Sequence, residues 1–243
     1  MPFRIFLAGA SGAVGRRLVP LLRDAGHQVF GTTRDPAKAE MLARLGVEPV
    51  VVDVFDGPAL SRAVAAARPQ VVIHQLTDLP PGLDPARMAE ALPRNARIRS
   101  EGTRNLVAAA REAGVRRLIA QSIAWVYVPG TPPYAEDHPL DRSADSPRRV
   151  SIDGVAALET QVLNTPPLQG LVLRYGQLYG PGTGADAPPA PGAVHVDAAA
   201  QAALLAVDRG RPGRFNVAEP GGPALVEKAV RELGWDAGFR LPG

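Results

Sequence analysis

Three glycines near the start of the chain, Gly9, Gly12 and Gly15, directly follow a short apolar run. Glycines at this spacing allow a tight turn and let the backbone approach a bound group closely. A helical pattern begins at once, so its N–H groups and positive end would meet an anion such as a pyrophosphate. The chemistry predicted is dinucleotide binding by Gly9, Ser11, Gly12, Ala13, Val14 and Gly15. The alternative is that these glycines only permit close packing of a strand on a helix.

A second candidate binding site lies at the end of the next apolar run. Arg34 and Asp35 are adjacent there, about twenty residues beyond the glycines. A guanidinium at this place pairs with the 2′-phosphate of NADP, whereas a carboxylate accepts hydrogen bonds from the ribose hydroxyl of NAD. We expect NADP if Arg34 occupies the tip of the strand and NAD if Asp35 does, with NADP preferred. The alternative for Arg34 is a solvated charge beside a helix.

Proton transfer has few candidate groups in this chain. Nearly all basic residues are arginines, and the only lysines are Lys38 and Lys228. Tyr127 follows a predicted strand and could replace a donor, although packing at the strand end is the favoured interpretation. The four histidines are scattered and have no paired carboxylates at ligand spacing, so no metal site is predicted. They are His27, His74, His138 and His195.

The composition limits the class of protein. The chain has 243 residues, 46% hydrophobic and 21% charged, enough for one large domain or a domain with a small lobe. It has no cysteine, so a reducing compartment, the cytoplasm, is expected. No apolar run reaches the ~20 residues needed to cross a bilayer, so no membrane partner is expected. The pI of 9.7 reflects arginine at a net charge of +3, and without a basic run interleaved with aromatics no nucleic acid is expected.

The elements that must position these groups follow from hydrophobic spacing. Short β-rich runs alternate with Ala-, Leu- and Arg-rich stretches of helical spacing, as in βαβ units. This predicts an α/β fold, a Rossmann-type doubly wound parallel sheet. The predicted strands are 3–8, 28–33, 48–52, 71–75, 117–122 and 168–174. The predicted helices are 14–25, 36–45, 58–67, 85–113 with Pro93 as a candidate break, and 151–163.

The composition changes after residue 174, where Gly, Pro and Ala become frequent. Residues 180–192 contain too many helix and strand breakers for regular structure and are predicted to form a loop. A helix at 196–208, a short strand at 214–217 and a last helix at 223–233 would complete a small C-terminal lobe. We therefore expect an NAD(P)-binding domain over 1–165, and the sixth strand with a trimmed substrate lobe over 166–243.

Several segments together resemble one family along almost the whole chain. The glycine turn, Gly-Thr-Arg-Asn-Leu at 102–106, Arg-Tyr-Gly-Gln-Leu-Tyr-Gly-Pro-Gly at 174–182 and His-Val-Asp at 195–197 occur in order. They resemble the extended short-chain dehydrogenase/reductase superfamily, in its NAD(P)-dependent epimerase/dehydratase branch. The resemblance implies further cofactor-binding residues at or just beyond the ends of the third to sixth strands: Asp53, Val54, Gln75, Leu76, Gln121, Tyr175, Gly176 and Leu178.

The catalytic positions of that family are altered here. The family uses a tyrosine, a lysine four residues later that lowers the phenol pKa, and an upstream Ser or Thr. In the segment 151–159, Ser151 replaces the tyrosine and Val155 the lysine, and Ser122 lies one place before the usual Ser/Thr. No tyrosine in the chain has a lysine four residues later. The candidate catalytic residues are Ser122, Tyr127 and Ser151, of which Ser151 could bind a carbonyl but would be a poor acid.

These observations predict an NADP-dependent oxidoreductase that acts on a small carbonyl or alcohol with a non-standard proton donor. The alternatives are a non-catalytic NADP-binding sensor or regulatory protein, and an NAD(P)-dependent epimerase, isomerase or dehydratase. The segment between Gly182 and His195 is short for covering a sugar nucleotide. Arg99 stands where the family often has an asparagine. The resemblance also implies a homodimer formed through helices 85–113 and 151–163.

Overall fold

The structure, a computed structural model, describes residues 1–143, 145 and 148–242. Nine strands alternate with eight α-helices in this part of the chain. The strands are β1 (Arg4–Ala8), β2 (Gln28–Thr33), β3 (Glu48–Val51), β4 (Val71–His74), β5 (Arg117–Ile123), β6 (Gln169–Tyr175), β7 (Leu178–Tyr179), β8 (Val194–His195) and β9 (Gly213–Val217). The helices are α1 (Ala13–Asp24), α2 (Ala39–Arg44), α3 (Gly57–Ala67), α4 (Pro85–Arg97), α5 (Thr103–Glu112), α6 (Arg148–Leu163), α7 (Val196–Leu205) and α8 (Glu227–Leu233).

Seven strands form one parallel sheet in the order β3-β2-β1-β4-β5-β6-β9. The chain first builds outward from β1 to β3, then returns to the other side of β1 and builds from β4 to β9. The order therefore reverses between β1 and β4, and ligands of open α/β sheets bind outside the carboxyl ends of the strands at such a reversal. The predicted doubly wound parallel sheet is confirmed.

Helices cover both faces of the sheet, which explains why its central strands are apolar throughout rather than alternating. In β1, Ile5 and Leu7 pack into the layer formed with α1 and α7, while Phe6 packs into the layer formed with α3 and α5. All three side chains are fully buried. The two layers hold the strands so that their carboxyl ends lie along one edge of the sheet. A ligand site is expected at this edge.

Two predicted helices differ from those in the structure. The helix predicted over 85–113 is interrupted by a π turn, Ile98–Gly102, whereas Pro93 lies inside α4. The last helix begins at Glu227 rather than at residue 223. The backbone around Ala224 forms a bridge with Tyr134 instead, with Tyr134 N donating to Pro223 O and Leu225 N to Tyr134 O. These tertiary hydrogen bonds use groups that a helix would need.

The C-terminal part contributes directly to the main sheet. Strand β6 pairs with β5 along seven residues, and β9 pairs with β6 along five. The run 180–192 has no helix or strand, as its composition predicts. A division of the chain at residues 165 and 166 stays a prediction. Within the described ranges, no helix is long and apolar enough to span a membrane.

Candidate active site

A cleft of about 1000 Å³ opens at the carboxyl ends of the strands, at the reversal between β1 and β4. It extends from the glycine turn and the end of β2 to the ends of β5 and β6. Fourteen of the fifteen predicted cofactor-binding residues line it: Gly9, Ser11, Gly12, Ala13, Val14, Arg34, Asp53, Val54, Gln75, Leu76, Gln121, Tyr175, Gly176 and Leu178. Gly15 is the exception, since it is buried behind the turn.

The glycine turn is shaped by contacts that side chains would prevent. Gly9 has φ +91°, and a Cβ there would lie 2.7 Å from the carbonyl carbon of Gln75. A Cβ on Gly15 would lie 2.2 Å from Gly9 O. Gly12 N donates to Gly9 O at 3.1 Å, and Gly12 precedes α1 without any side-chain cap. The first N–H groups of α1 therefore have no capping side chain and lie beside the cleft, as a pyrophosphate site requires.

The end of β2 brings two cations to the cleft. Arg34 and Lys38 both line it, and the Arg34 side chain is 63% exposed. Asp35 also lines the cleft, but its carboxylate caps the following turn by accepting from Ala37 N at 3.0 Å. Lys38 was not among the residues predicted to bind cofactor, although it is one of only two lysines in the chain. Cations at this end of the cleft suit a phosphate on the adenosine ribose.

The end of β3 forms the adjoining wall. Asp53 accepts from Phe55 N at 2.9 Å, which holds the turn after the strand. Asn105 in α5 donates from Nδ2 to Val54 O at 2.9 Å. This bond ties the wall to the helix that begins with Thr103. Asp53 and Val54 therefore lie in the wall of the cleft, and their role in cofactor binding stays a prediction.

Tyr175 and Gln75 meet at the other end of the cleft. Gln75 Nε2 donates to Tyr175 Oη at 3.2 Å, and both side chains are buried. Burial raises the pKa of Tyr175 well above its ordinary value, so its phenol stays protonated at neutral pH. Gln75 Oε1 is buried without a hydrogen-bond partner in the described part of the protein. Such an unpaired amide oxygen is costly alone and suits a bound ligand that carries an N–H donor.

Ser122 lines the cleft, but its hydroxyl is already engaged. Ser122 Oγ donates to Glu159 Oε1 at 3.0 Å. Burial would raise the pKa of Glu159, but hydrogen bonds from Arg174 and Arg214 outweigh it and hold that pKa below its ordinary value. Glu159 is therefore a carboxylate that only accepts, so the Ser122 proton points to it and away from any substrate. Ser122 can accept a hydrogen bond here but is not arranged as an acid.

Tyr127 is not among the described residues that line the cleft. Its hydroxyl donates to Asn216 Oδ1 at 2.5 Å and accepts from Arg174 Nη1 at 2.9 Å. Burial raises its pKa, against the opposing charge of Arg174. The phenol thus joins β5, β6 and β9 as part of the packing, which agrees with the interpretation that the sequence favoured.

Replacing Tyr127 by Phe is expected to cost about 1–3 kcal/mol in the free energy of unfolding, because Asn216 Oδ1 and Arg174 Nη1 lose a buried partner. Denaturant unfolding of the variant measures this cost. The control is Tyr134→Phe, because in the described part of the chain the Tyr134 hydroxyl bonds only to the exposed backbone of Gly130, so its loss should change stability little. A variant with unchanged stability but abolished turnover would instead restore Tyr127 as a proton donor.

Ser151 and Val155 occupy the first turns of α6, on the side towards β5. Ser151 lines the cleft, and its hydroxyl has no hydrogen bond within the described residues. Val155 is completely buried and packs with Val126 and Ile152. The position that aligns with the family's lysine is therefore filled by apolar packing. Of the three candidate catalytic residues, only Ser151 combines a place on the cleft with a hydroxyl that has no partner in the described ranges.

The remaining wall includes residues that the sequence did not indicate. Apolar side chains from the segment after β4, from α4 and from the end of β5 form it: Leu79, Leu83, Met88, Leu92, Ile123 and Trp125. Thr77 and Asp78 continue the wall beside Leu76. Periodicity alone could not separate these residues from ordinary core or loop positions, because their common surface forms only when α4 packs against α6.

Two other groups gain definite environments in the structure. His74 is buried, accepts from Leu76 N at Nδ1 and bonds Thr103 Oγ1 through Nε2. Burial, aided by the charge of Arg99, lowers the His74 pKa to about 4, so this histidine is a neutral core group. The described residues contain no group of His, Cys, Asp and Glu side chains that could hold a metal ion.

The fold and the cleft define an NAD(P)-binding protein of the doubly wound α/β class. The NAD(P)H-binding family model matches residues 9–179, and the chain belongs to this family within the extended short-chain dehydrogenase/reductase superfamily. A solved structure of UDP-glucose 4-epimerase from Thermotoga maritima superimposes with a TM-score of 0.77 at 19% identity, covering 97% of this chain and 93% of that one. At this identity the likeness concerns the fold alone.

Two curated relatives are reductases. The 3-diazoavenalumate denitrifying reductase of Streptomyces sp is 47% identical over 189 residues, 74% of this chain and 58% of that protein. The dTDP-4-dehydrorhamnose reductase of Streptomyces griseus is 34% identical over 181 residues, 74% of this chain and 51% of that protein. This chain thus spans between about half and three fifths of the length of these two relatives.

Proposed function

We propose that this protein is an NADPH-dependent reductase that delivers hydride to a small acceptor without a protein proton donor. The main support for this proposal is the difference between the two ends of the cleft. The cofactor end combines the glycine turn, the α1 N-terminus and two cations. At the other end the Ser122 hydroxyl is bonded to Glu159, and Val155 fills the lysine position. The site supports binding and orientation of a hydride donor, but not lysine-tuned acid catalysis.

The preference for NADPH rests on Arg34 and Lys38. Replacing both by Ala is expected to raise the dissociation constant of NADPH about 10- to 100-fold, because two charge-assisted contacts to the 2′-phosphate are lost. The dissociation constant of NADH should change less than about 3-fold, well below the factor for one charged hydrogen bond. Quenching of protein fluorescence by each nucleotide measures both constants.

The matched control for this pair is Arg44→Ala, since Arg44 is an exposed cation in α2 that pairs with Glu40 and does not line the cleft. It should bind both nucleotides as the wild type does. An equal loss of NADPH and NADH affinity in the double variant would contradict the 2′-phosphate assignment. Stronger NADH binding by the wild type than NADPH binding would assign the tip of β2 to Asp35.

The end of the cleft lined by Ser122, Ser151 and Tyr175 is called the reaction end. A diazo group is the hydride acceptor that suits this end best. The Streptomyces sp relative is named as a denitrifying reductase of a diazo compound, and its 47% identity over 189 residues, 74% of this chain, favours related chemistry. Bound NADPH would supply a hydride. In the reduction of an arenediazonium, a C–H bond forms from the hydride, the C–N bond breaks and its electron pair departs on N₂. No proton is consumed, so a site without an acid suffices.

A small carbonyl compound is the second candidate acceptor. Ser151 faces the cleft with a free hydroxyl and could hold a carbonyl oxygen by a hydrogen bond. The proton would then come from water in the cleft, and positioning of the reactants would provide much of the rate. The S. griseus relative, a reductase of a dehydro sugar nucleotide by its name, supports this class.

The experiment is oxidation of NADPH followed at the nicotinamide absorbance with two panels of acceptors. One panel contains arenediazonium salts and diazo-phenols, with N₂ release measured in parallel, and the other contains aldehydes, ketones and enones. We expect N₂ release equal to NADPH oxidised and little effect of Ser151→Ala. Activity confined to carbonyls and lost in Ser151→Ala would favour the second acceptor class. Tight NADPH binding without oxidation by either panel would overturn the proposal and favour a sensor protein.

A further inference from the structure

Arg99 is a buried cation that faces the cleft. It lies in the π turn Ile98–Gly102 between α4 and α5, and its residue surface is 7% exposed. It lines the cleft. In the described part of the chain, no hydrogen bond or ion pair reaches its side chain, and its nitrogens are not fully occluded. A buried charge without a partner is costly, so an arginine in this position is suited to a partner that arrives with the ligand.

The charges around Arg99 place it at the reaction end of the cleft. Burial and the charge of Arg99 lower the pKa of His74, at the end of β4. The charge of Glu159 in turn opposes the lowering of the Arg99 pKa by burial, so His74 and Glu159 both lie near Arg99. Glu159 accepts a hydrogen bond from the hydroxyl of Ser122, near the end of β5. Burial lowers the pKa of Arg99 to about 10, which leaves the guanidinium charged at neutral pH.

Glu159 does not satisfy Arg99, because its carboxylate is already saturated. Its two oxygens accept from Arg174 at 2.8 and 2.6 Å, from Arg214 at 2.7 Å and from Ser122 at 3.0 Å. The charge of Arg99 also reaches His74, which is neutral and does not neutralise it. The donors of Arg99 are thus free for an acceptor in the cleft.

We propose that Arg99 binds an oxyanion of the substrate, a carboxylate or phenolate, and so selects anionic substrates. The wall around the reaction end also selects among substrates, by the polarity of its surface. Leu79, Leu83, Met88, Leu92 and Trp125 give it an apolar surface, which suits an aromatic or long aliphatic body. The substrate class is therefore an apolar or aromatic acid held by its charged end. This inference rests on the proposed function, in which the same cleft holds substrate and cofactor.

The phosphates of the cofactor have partners elsewhere in the cleft. The N–H groups at the start of α1 suit the pyrophosphate, and Arg34 and Lys38 suit the 2′-phosphate. Arg99 instead lies near buried His74, at the end of β4, and near Glu159 of α6, which accepts a hydrogen bond from Ser122 of β5. This separation along the cleft assigns its free donors to the substrate.

The test is the binding of 2-naphthoate and its neutral isostere 2-naphthamide to the full chain saturated with NADP⁺, measured by calorimetry. We expect the wild type to bind the carboxylate at least 10-fold more tightly than the amide. Arg99→Gln should weaken carboxylate binding about 30-fold or more, as expected when one partner of a buried charge pair is removed. Amide binding should stay within about 3-fold, and Arg99→Lys should retain part of the preference.

Three results would overturn the proposal: no preference for the carboxylate in the wild type, an equal loss of both probes in Arg99→Gln, or a rise in the NADP⁺ dissociation constant by the same factor. The last result would assign Arg99 to a cofactor phosphate. Because binding is measured rather than turnover, failure of the reductase proposal appears separately, as absence of NADPH oxidation.

A stability measurement separates ligand binding from a structural role. Removing an unpaired buried charge should leave the melting temperature of Arg99→Gln unchanged or higher. Arg174→Gln is the control, because Arg174 is also buried but is bonded to Glu159, so this variant should have a lower melting temperature than the wild type. A large drop in the melting temperature of Arg99→Gln, comparable with that of Arg174→Gln, would also overturn the proposal.

Discussion

Glu159→Gln is expected to lower the free energy of unfolding by about 3–5 kcal/mol, the cost of leaving a buried ion pair without one partner. Glu159 and Arg174 have side chains that are 1% and 2% exposed, with Arg174 Nη2 2.6 Å from Glu159 Oε2. The same carboxylate also binds Arg214 and Ser122. A neutral amide would leave the Arg174 charge in an apolar interior and would present an N–H₂ group to cationic donors.

For a domain of this size the expected change corresponds to a melting temperature lower by roughly 6–20 °C. Thermal and urea unfolding measure it. Glu40→Gln is the control, since Glu40 is 74% exposed, pairs with Arg44 within one helix and should cost under about 0.5 kcal/mol. Equal stability of the two variants would show that the buried network carries no net stabilisation.

The same network predicts how stability depends on pH. The pKa of Glu159 is lower in the folded protein than in the unfolded chain, so its contribution is complete above the unfolded pKa and is lost as the pH falls through the folded one. The stability difference between the wild type and Glu159→Gln should therefore shrink on acidification below about pH 4.5, near the ordinary glutamate value. A difference that is constant from pH 7 to pH 3 would contradict this assignment.

Gly15→Ala is expected to raise the dissociation constant of NADPH more than about 100-fold and to destabilise the protein by about 1–3 kcal/mol, occasionally more. The added Cβ would lie 2.2 Å from Gly9 O and 2.7 Å from Ala10 O. Both atoms belong to the backbone of the turn, so they cannot rotate away. The turn must open, which misplaces the N–H groups that face the pyrophosphate.

Gly12→Ala separates the shape of the turn from the approach of the ligand. Its Cβ would lie 3.4 Å from Gly9 O, and Gly12 has φ −76°, which any residue adopts. Stability should therefore change by less than about 1 kcal/mol, the scale of one exposed glycine substitution. Nucleotide affinity should still fall, because the methyl group occupies the surface that the pyrophosphate approaches.

Gly57→Ala completes this comparison as a control for glycine replacement at a helix start. Gly57 begins α3 outside the cleft, and its nearest atom to an added Cβ is 3.8 Å away in Asn105. Fluorescence titration with NADPH and urea unfolding of the three variants measure both effects. Wild-type affinity in Gly15→Ala would contradict the assignment of this turn as the dinucleotide site.

The accuracy of the sequence predictions depends on the distance over which the deciding interactions act. The strands and most helices follow from local spacing: α1 ends at Asp24, and Gly26, whose φ of +83° favours glycine, follows the cap residue Ala25. The last helix was placed four residues too early because its start is decided by the bridge between Ala224 and the distant Tyr134. Fourteen of the predicted cofactor residues line the cleft, since they lie at or just beyond the carboxyl ends of strands and the ends of the parallel strands lie at one edge of the sheet.

The catalytic candidates show the opposite case. Ser122, Tyr127 and Ser151 have similar hydroxyl groups in the sequence, but the structure places them in three different environments. Ser122 is bonded to Glu159, Tyr127 lies in the packing with Asn216, and Ser151 faces the cleft. Each partner lies far along the chain and on another element, so no local pattern distinguishes a committed hydroxyl from a free one.

The sequence by itself determined the doubly wound fold, the glycine turn and the absence of a tyrosine with a lysine four residues later, because these depend on residue type and short-range spacing. Only the tertiary structure decided that Lys38 joins Arg34 at the cleft, that Asp35 caps a turn and that Arg99 is a buried cation with no partner among the residues described. Burial and charge pairing are set by the packing of distant segments. They determine whether a polar side chain stabilises the protein or is available to a ligand.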